Sequence, residues 1–354
     1  MANIVFKASD LDGYLADLDK QSIDVMMNKY EEVISIFSRL SEDQEHQQRE
    51  RSKEKLIALY NEMGKMMQDI IKSEDKIHVY SFETPDTIHG EASRLIAKLR
   101  DVRTEHPEFV YYIQRAYELL FNFAFAGTAL KRKNYIVVNT PVNIPVPNYA
   151  VHKIPSIDRI VANSVMCVML RGALLPSMIL SKEIQEYSSN NYITPFALFK
   201  ISRDDTKEEN NMEYILNLDR SYFDLELLDG KDLFFADPMN ATGGSLVTIV
   251  KYLLEQNVRP KSIKFFNVVS VLKGSLRIVR AIEGAEVYTL WMDPALNHMA
   301  YILPGLGDAG DRINGADHEE NPRDIIQLIA HYGATIASLY RDQVMRIEET
   351  VLGK

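Results

Sequence analysis

The amino-acid sequence predicts an α/β protein whose core is a parallel β-sheet covered by helices on both faces. The first observation is a series of short, continuously apolar runs that alternate with helical stretches, as in strands buried on both sides. The second is an ordinary globular composition, with 46% hydrophobic and 25% charged residues in a chain of 354 residues. The apolar runs that we interpret as core strands are Ser164–Leu170, Ala197–Ile201, Leu233–Ala236, Ile263–Val271 and Val287–Met292.

The composition also argues against several classes of protein. Lys and Arg number 40 and Asp and Glu number 50, so the formal net charge of -10 disfavours a broad nucleic-acid-binding surface. No stretch has the ~18 apolar residues that a membrane span needs, and the N-terminus lacks the apolar region of a signal peptide. The single cysteine, Cys167, lies in an apolar run and is expected to be a buried structural thiol. We therefore expect a cytoplasmic protein with no nucleic-acid and no membrane partner.

Residues 1–75 predict a helical extension ahead of the sheet. Apolar residues recur at steps of three and four over Ile23–Leu40 and again over Leu56–Ile70, which indicates two amphipathic helices. Between them, Ser41-Glu42-Asp43-Gln44 matches a capping box and predicts the start of the second helix. A helical hairpin is the simplest interpretation, and a coiled-coil partner site is the alternative.

Residues 76–315 predict the α/β domain itself. Before the buried strands, the prolines Pro141, Pro145 and Pro147 predict a connector without regular structure. The elements expected ahead of that connector are a strand at Ile77–Tyr80, helices at Ala92–Arg103 and Glu108–Leu130, and a strand at Asn134–Val138.

Residues 316–354 predict a second helical extension. Asn321 followed by Pro322 is typical of a helix start, with the asparagine as N-cap and the proline at the first helical position. Helical periodicity then continues, so we expect one helix over Pro322–Leu352. The acidic run 317–320 is interpreted as a solvated loop rather than a metal site, because no second ligand cluster has suitable spacing.

The strongest chemical signal is the segment Asp237-Pro238-Met239-Asn240-Ala241-Thr242-Gly243-Gly244-Ser245. It follows a buried strand and precedes an apolar helix, and a small-residue loop in that position binds phosphate through converging backbone N–H groups. The hydroxyls of Thr242 and Ser245 would assist, and the spacing differs from that of an NTPase P-loop. Asp237, at the strand end, suits the two hydroxyls of a ribose. The segment therefore predicts a sugar-phosphate site.

A second segment, Tyr301-Ile302-Leu303-Pro304-Gly305-Leu306-Gly307-Asp308-Ala309-Gly310-Asp311-Arg312, contains a formal Gly-x-Gly-x-x-Gly pattern. We reject a dinucleotide-binding site, because residues 311–321 are polar and turn-like, so the pattern is expected to open no helix. No strand that ends in an acidic residue follows at the required distance. A rigid glycine loop with exposed backbone groups instead favours recognition of a flat heterocycle.

Together the two segments resemble the uracil phosphoribosyltransferase family, whose members make UMP from uracil and 5-phosphoribosyl 1-diphosphate (PRPP). The family pattern Asp-Pro-Met-x-Ala-Thr-Gly-Gly-Ser is intact at 237–245, and the pattern Asp-x-x-Leu-Asn before the glycine loop is intact at 293–297. Weaker similarity is found at Leu170-Arg171-Gly172 and at Arg203–Thr206, within a region that covers about 86–315. The resemblance implies a phosphoribosyltransferase-type parallel-sheet core, to which an N-terminal helical hairpin and a C-terminal helix are added.

The resemblance also implies a role for each site residue. Asp237–Ser245 would bind the ribose hydroxyls and the 5-phosphate of PRPP, and Arg171 and Arg203 would bind its pyrophosphate. Asp308 would contact uracil and also PRPP or its Mg²⁺, so magnesium is expected with PRPP as co-substrate rather than on protein side chains alone. The implied catalytic residues are Asp237, Arg171, Arg203 and Asp308. The implied uracil-binding residues are Ile302, Gly307, Asp308 and Ala309.

Departures from the family pattern leave an alternative open. After Arg171 the small pyrophosphate loop of the family is replaced by Gly172-Ala173-Leu174-Leu175-Pro176, a pair of tyrosines is reduced to Tyr214, and a phenylalanine is replaced by Asn314. The alternative to an active enzyme is a PRPP- or UMP-binding regulatory protein with weak or no turnover. A third interpretation is that the terminal helices place the enzyme in a larger assembly. Because their apolar stripes must be buried and the family is oligomeric, we expect a homodimer or higher homo-oligomer in which these helices enlarge the contact.

Overall fold

A computed structural model describes residues 3–42, 46–129, 133–315 and 340–353. The strands are β1 (Asn3–Lys7), β2 (Ile77–Val79), β3 (Lys133–Asn139), β4 (Tyr149–Pro155), β5 (Ser164–Leu170), β6 (Phe196–Arg203), β7 (Glu213–Tyr222), β8 (Asp232–Ala236), β9 (Met239–Asn240), β10 (Ser262–Val271), β11 (Ala285–Asp293), β12 (Ala295–Leu296) and β13 (Ile302–Leu303). The helices are α1 (Ala8–Asp12), α2 (Asp17–Glu42), α3 (His46–Ile71), α4 (Tyr80–Glu83), α5 (Asp86–Arg100), α6 (His106–Ala129), α7 (Asp158–Val161), α8 (Leu174–Tyr187), α9 (Leu225–Leu228), α10 (Gly244–Glu255), α11 (Leu272–Ala281), α12 (Ala309–Asn314) and α13 over 340–352.

The central sheet has the strand order β1-β7-β6-β5-β8-β10-β11-β2, and β9 pairs with the end of β10. All neighbouring strands from β6 to β2 pair in parallel. At the other edge, β7 pairs antiparallel with β6, and β1 pairs antiparallel with β7. β5 and β8 are buried along their whole lengths, as continuous apolar runs predict for strands covered on both faces. The predicted parallel-sheet core is confirmed.

Cys167 shows how closely this core is packed. On β5 it lies between Ala197 of β6 and Phe235 of β8, and its side chain is fully buried. Burial raises the pKa of its thiol, because the thiolate would lose its hydration. The prediction of a structural rather than a nucleophilic cysteine is confirmed.

The order in which the chain adds strands to the sheet reverses between β5 and β8. β5 is followed by α8 and then by β6 on one side, whereas β8, β10 and β11 follow one another toward the other side through α10 and α11. Because parallel crossovers are right-handed, α8 lies on one face of the sheet and α10 and α11 lie on the other. In such sheets, ligands bind in the crevice beyond the carboxyl ends of the strands at this switch point.

The extension predicted to be helical over residues 1–75 begins with a strand that the sequence did not predict. β1 pairs antiparallel with β7, with Val5 opposite Ile215, and so forms the edge of the central sheet. A strand of this length is too short for its hydrophobic alternation to stand out in the sequence. The predicted hairpin is confirmed as α2 and α3, which pack on each other, and α2 also contacts α11 and β12.

Most of the apolar stripe of each hairpin helix is covered within the chain. The buried side chains of α2 and α3 are Met26, Tyr30, Val33, Ile36, Leu59, Met63, Met67 and Ile71. Val25, Ile34 and Phe37 of α2 and Ile57 of α3 are 38–61% exposed, so the predicted contribution of the hairpin to a subunit contact stays a prediction. The predicted capping box fails at its first residue, because Ser41 still belongs to the last turn of α2, and Gln44 lies outside the described residues.

β3 confirms the predicted strand at Asn134–Val138, but it does not join the central sheet. It pairs antiparallel with β4, which the sequence did not predict, to form a separate two-stranded ribbon. Pro141, Pro145 and Pro147 lie in the connection between the two strands, so regular structure stops there and resumes at Tyr149. Apolar side chains that are exposed on the ribbon include Tyr135, Val137, Tyr149 and Val151.

The first helix of the α/β domain differs from its predicted bounds of Ala92–Arg103. α5 begins at Asp86, with Pro85 as its N-cap, and ends at Arg100. The earlier start reflects the fixed φ of proline, which suits the residue just before a helix. Among the helices of the described ranges, none is long and apolar enough to cross a membrane.

The C-terminal extension is described only in its last part. α13 confirms the helical prediction over 340–352, whereas 322–339 and the acidic run 317–320 lie outside the described residues. α13 packs on the body of the protein, where Gln185 of α8 donates a hydrogen bond to Asp342 at 2.7 Å.

Candidate active site

A cavity of about 520 Å³ opens at the carboxyl ends of β5, β6 and β8, at the switch point of the sheet. The loop after β8 and the loop after β13 form opposite parts of its wall. The cavity brings together every site residue that the sequence predicted. Its lining includes Arg171, Arg203, Asp237, Pro238, Met239, Asn240, Ala241, Thr242, Gly243, Gly244, Ser245, Ile302, Gly307, Asp308 and Ala309.

The segment Asp237–Ser245 joins β8 to α10 and forms one wall of the cavity. We call this segment the phosphate loop. At the start of the loop, the Asp237 carboxylate accepts a hydrogen bond from the backbone N–H of Met239 at 3.1 Å. Gly243 is the N-cap of α10 and has a φ of 73°, a left-handed conformation that favours glycine. The N-terminus of α10 therefore lies at the cavity, where its dipole favours an anion.

Buried contacts hold the phosphate loop from beneath. The Tyr214 hydroxyl donates a hydrogen bond to Thr242 Oγ1 at 2.6 Å. The Tyr214 ring also occupies the space beside Gly244, where an added Cβ would lie only 2.1 Å from Cζ. Asn240 Nδ2 donates to Ser270 Oγ at 2.8 Å. These contacts restrict the loop, and a loop fixed by its own buried contacts loses little ordering entropy when an anion binds.

Asp237 has the most perturbed acid–base behaviour in the cavity. Burial of its carboxyl, and to a lesser extent the nearby charge of Asp308, raises the pKa of Asp237 to about 7. The N–H of Met239 and the charge of Arg203 act in the opposite direction. A carboxyl with so high a pKa favours a ligand that donates hydroxyl hydrogens or brings a cation.

Two arginines reach the cavity from the ends of β5 and β6. Arg171 donates to Asp311 Oδ1 at 3.1 Å, and Arg203 pairs with Asp205 at 3.2 Å between Nη2 and Oδ1. The guanidinium of Arg203 also lies over the Tyr301 ring, 5.4 Å from its centroid. Each arginine is therefore paired with a carboxylate, and both guanidinium groups line the cavity, where their planar shape suits the oxygens of a phosphate.

The glycine loop, residues 301–312, rests on a buried ion pair. The backbone N–H of Gly305 donates to Asp293 Oδ2 at 3.0 Å, and the other oxygen of Asp293 accepts a hydrogen bond from Arg100. The Asp293 side chain is 1% exposed, and burial raises the pKa of its carboxyl against the effect of Arg100. At the far end of the loop, Arg312 donates to the carbonyl oxygens of Asp101 and Thr104, each at 3.2 Å. Both ends of the glycine loop are thus fixed to the domain.

The glycine loop does open a short helix, which corrects the prediction that residues 311–321 are turn-like. Asp308 is the N-cap of α12 and accepts a hydrogen bond from the N–H of Asp311 at 2.9 Å. The helical part ends at Asn314, and residues 316–321 lie outside the described ranges. The capping role of Asp308 explains the error, because a single N-cap outweighs a weak local preference for turn in so short a segment.

Most of the residues after Arg171 that differ from the family pattern are buried in the core. Leu174, Leu175 and Pro176 form the first turn of α8 and are buried. Only Gly172 and Ala173 separate Arg171 from the helix, and the Cα of Gly310 is 3.4 Å from where a Cβ on Gly172 would lie. This short pyrophosphate-side loop is therefore packed directly against the glycine loop.

The cavity offers oxygen ligands for a magnesium ion. Its lining includes the carboxylates of Asp205, Asp237 and Asp308, and carboxylate oxygen is the donor that Mg²⁺ prefers. In the part of the chain that the structure describes, no group of three or more His, Cys, Asp or Glu side chains is arranged to hold a metal. The residues thus fit an ion that shares its ligands with a bound phosphate.

Several residues of the cavity were not predicted to belong to it. Tyr301, Asp205 and Phe265 line it, and Tyr214 supports the phosphate loop from beneath. Asp205 and Tyr301 belong to the segments that carried the family resemblance, so that signal could have identified them. Phe265 and Tyr214 lie within strands, and only the strand register shows that they reach the site.

A switch-point crevice that joins a strand–loop–helix phosphate site to a second, base-sized glycine loop is the architecture of the phosphoribosyltransferases, and the protein has this fold. A model of the family described as uracil phosphoribosyltransferase matches residues 87–316. The chain belongs to the uracil phosphoribosyltransferase family.

Individual relatives are similar to this chain over shorter stretches. The uracil phosphoribosyltransferase of Lactococcus lactis subsp. lactis (strain IL1403) is 38% identical over 104 residues, which are 29% of this chain and 46% of that protein. The uracil phosphoribosyltransferase of Variovorax paradoxus (strain S110) is 47% identical over 88 residues, which are 25% of this chain and 41% of that protein. The chain spans less than half the length of these curated relatives.

Solved structures are similar at lower identity. The AQ2163 protein from Aquifex aeolicus has a TM-score of 0.45 and 22% identity, covering 64% of this chain and 96% of its own. The orotate phosphoribosyltransferase of Mycobacterium tuberculosis H37Rv in complex with PRPP has a TM-score of 0.31 and 12% identity, covering 61% of this chain and 95% of its own.

Proposed function

We propose that this protein transfers the phosphoribosyl group of PRPP to uracil and releases UMP and diphosphate. The observation that carries the proposal is the meeting of the phosphate loop and the glycine loop, both with intact family patterns, around one cavity. A nucleotide is a phosphate, a ribose and a base in that order, and the two loops offer sites for its two ends.

PRPP is proposed to bind along the phosphate-loop side of the cavity. Its 5-phosphate lies at the backbone N–H groups and hydroxyls of Ala241–Ser245, at the N-terminus of α10. The ribose hydroxyls donate to the carboxylate of Asp237, and Pro238, Met239 and Asn240 complete the ribose side. Arg171 and Arg203 exchange their present carboxylate partners for the pyrophosphate.

Uracil is proposed to bind at Ile302, Gly307, Asp308 and Ala309. One edge of uracil presents an acceptor, a donor and an acceptor, which a backbone loop can match with N–H, C=O and N–H. Cytosine has an amino group at one end of that edge, so two donors would face each other. Leaving such a buried group unpaired costs ~1–3 kcal/mol, which is enough to favour uracil by about five- to 150-fold.

In the proposed transfer, the bond between ribose C1 and the pyrophosphate oxygen breaks, and its electron pair leaves with diphosphate. Uracil N1 bonds to C1, and its proton passes to the departing diphosphate. Positive charge develops on the ribose in the transition state, close to Asp237 and Asp308, while Arg171 and Arg203 neutralise the departing group. Asp308 would help to hold a magnesium ion bound with PRPP, and such an ion would further neutralise charge on the pyrophosphate. We therefore propose Mg²⁺ as the cofactor.

We also propose a cytoplasmic homo-oligomer that acts in pyrimidine salvage, the reuse of free uracil. Support for the oligomer comes from the β3–β4 ribbon. Four of its apolar side chains, Tyr135, Val137, Tyr149 and Val151, are each at least 60% exposed, a contiguous patch of the kind that marks protein contacts. Light scattering should give a mass above the 40.5 kDa of one chain at micromolar concentration. A mass of one chain would refute the oligomer.

The second candidate function is a PRPP- or UMP-binding regulatory protein with weak or no turnover. The observation that favours it is the loop after Arg171, which is short because Leu174–Pro176 are folded into α8. A short loop contributes fewer backbone groups to a pyrophosphate, so binding of the product could persist while transfer is slow.

The deciding experiment is an assay of UMP formation with uracil, PRPP and Mg²⁺, run beside cytosine and the purine bases. Calorimetric titration with PRPP is measured on the same preparation. We expect UMP from uracil and background rates from the other bases. PRPP binding without UMP formation would establish the regulatory alternative, and absence of both would overturn the assignment of the cavity.

A further inference from the structure

The helix α11 lies between the phosphate loop and the N-terminal extension. Its cations Lys273, Arg277 and Arg280 are spaced at i, i+4 and i+7, so they share one face. Their carboxylate partners come largely from the extension. Asp12 contacts Lys273 and Arg277, and Asp19 pairs with Arg280 through two hydrogen bonds of 3.0 and 3.1 Å.

A second surface of α11 supports the phosphate loop directly. An added Cβ on Gly274 would lie 2.5 Å from the carbonyl oxygen of Ala241, so the loop can approach the helix only because this residue is glycine. Next to it, Ser275 Oγ is 2.5 Å from Ser270 Oγ, which in turn accepts the hydrogen bond from Asn240. Any displacement of α11 would therefore be transmitted to the loop.

Arg277 joins these two surfaces. Its side chain is fully buried, and its Nη1 donates to the carbonyl oxygen of Thr242 at 3.4 Å. On the other side, Nε donates to Asp12 Oδ1 at 3.0 Å, and Nη2 donates to the same oxygen and to Glu209 Oε1 at 3.1 Å. One guanidinium thus connects the backbone of the phosphate loop to a carboxylate of the extension.

We infer that Asp12 and Arg277 are positioning residues for PRPP, so that the N-terminal extension completes the phosphate loop instead of only adding stability. This inference rests on the proposed function. Asp12 is one of two carboxylates that neutralise the buried guanidinium, and Glu209 is the other. When a buried charge loses a partner, the structure rearranges to rehydrate it, because an uncompensated buried charge is costly. Here that rearrangement would move the Arg277 guanidinium, which donates to the carbonyl oxygen of Thr242.

The inference separates two carboxylates of the same extension. Asp12 reaches the phosphate loop through Arg277, whereas Asp19 pairs with Arg280. In the described contacts, Arg280 also pairs with Glu74 and makes no hydrogen bond to the phosphate loop. Both are carboxylates bound to an arginine of α11, so both substitutions should perturb the docking of the extension. Only the first should change PRPP binding.

The test compares Asp12→Asn with Asp19→Asn by calorimetric titration of PRPP and by steady-state kinetics. For Asp12→Asn we expect the Kd for PRPP to rise about tenfold, the KM for PRPP to rise with it, and the KM for uracil to stay within twofold. For Asp19→Asn we expect PRPP affinity within twofold of the unmodified protein. Asp12→Glu, which keeps the charge, should recover at least half of the loss in binding free energy.

Glu209→Gln provides an independent variant, because Glu209 approaches the same guanidinium from the catalytic domain. If Asp12→Asn does not fold, Glu209→Gln should still weaken PRPP binding several-fold, and unchanged binding in that variant would overturn the inference. Equal losses in Asp12→Asn and Asp19→Asn would also overturn it, because the effect would then come from general loosening of the extension. If the unmodified protein does not bind PRPP, the proposed function fails first, which keeps the two results distinguishable.

Discussion

The phosphate loop and the glycine loop each rest on an arginine–aspartate pair with one fully buried member, Arg277 in the first and Asp293 in the second, but the partners have different origins. Under the glycine loop, Asp293 is held by Arg100, and both residues lie within the range that matches the family model. Under the phosphate loop, Arg277 is held by Asp12, which lies in the extension outside that range. The base side of the site is therefore complete within the family domain, whereas the phosphate side has gained a support that the family domain does not supply.

The largest expected effect comes from breaking the support of the glycine loop. Asp293→Asn leaves the guanidinium of Arg100 without its charged partner, and loss of one partner of a buried pair typically costs ~3–5 kcal/mol. We expect the free energy of unfolding in urea to fall by about that amount and the KM for uracil to rise more than the KM for PRPP. Asp69→Asn, an exposed carboxylate of α3, is the matched control and should change neither. An equal rise in both KM values would show that the two loops are not supported separately.

A smaller effect is expected on the phosphate side from Asp237→Asn. The loss of charged hydrogen bonds to the ribose, each worth ~1.5–3 kcal/mol, should raise the Kd for PRPP by about 10- to 100-fold. The fold should be kept, because Asp237 ends a strand at the cavity rather than packing in the core. Unchanged PRPP affinity in calorimetry would remove Asp237 from the site.

The pH dependence of PRPP binding follows from the same carboxyl. With a pKa of about 7, Asp237 is protonated in a growing fraction of molecules as the pH falls below 7, and the protonated form is a poorer acceptor for ribose hydroxyls. PRPP affinity should therefore rise from pH 6 to pH 8, and this step should be absent in Asp237→Asn. Titrations at a series of pH values would show it, and a flat profile for the unmodified protein would contradict the assigned role.

Stability is expected to change with pH in the opposite direction to PRPP affinity. The folded-state pKa of Asp237, about 7, lies above the ordinary aspartate value of 3.8, so the folded state binds this proton more tightly than the unfolded state does. Its contribution to stability therefore falls as the pH rises from about 4 to about 7. At pH 8, Asp237→Asn should melt at the same temperature as the unmodified protein or higher, although it binds PRPP more weakly.

The smallest expected effect tests how far the phosphate loop is formed in advance. Tyr214→Phe removes only the hydrogen bond to Thr242 and keeps the ring beside Gly244, so the loss should be ~0.5–1.5 kcal/mol. The Kd for PRPP should rise two- to tenfold with no change in the KM for uracil. A larger effect on uracil than on PRPP would contradict the separation of the two loops.

Most of the fold and all of the proposed ligand contacts could be predicted from the sequence, because both leave strong local signals. Core strands such as Leu233–Ala236 are continuous apolar runs, and Asp237–Ser245 is a contiguous motif. What the sequence did not show depends on long-range pairing. β1 is a short edge strand that is defined only by its register with β7, and β4 follows a proline-rich connection.

The positioning residues were missed for the same physical reason. Asp12 and Arg277 are separated by most of the chain, and neither lies in a motif, so only the packing of α1 on α11 brings them together. The sequence therefore led us to expect that the terminal helices supply assembly and stability. The contact between Arg277 and Thr242 instead connects part of that extension to the phosphate loop.

The most direct test of the account is a crystal structure of the protein with UMP, because this product spans both loops at once. We predict the 5-phosphate at the backbone N–H groups of Ala241–Ser245, the ribose hydroxyls at Asp237, and the edge of the uracil ring at Ile302–Ala309. Clear density for UMP with its phosphate away from the N-terminus of α10, or with its base outside the glycine loop, would contradict the central claim that these two segments form one nucleotide site.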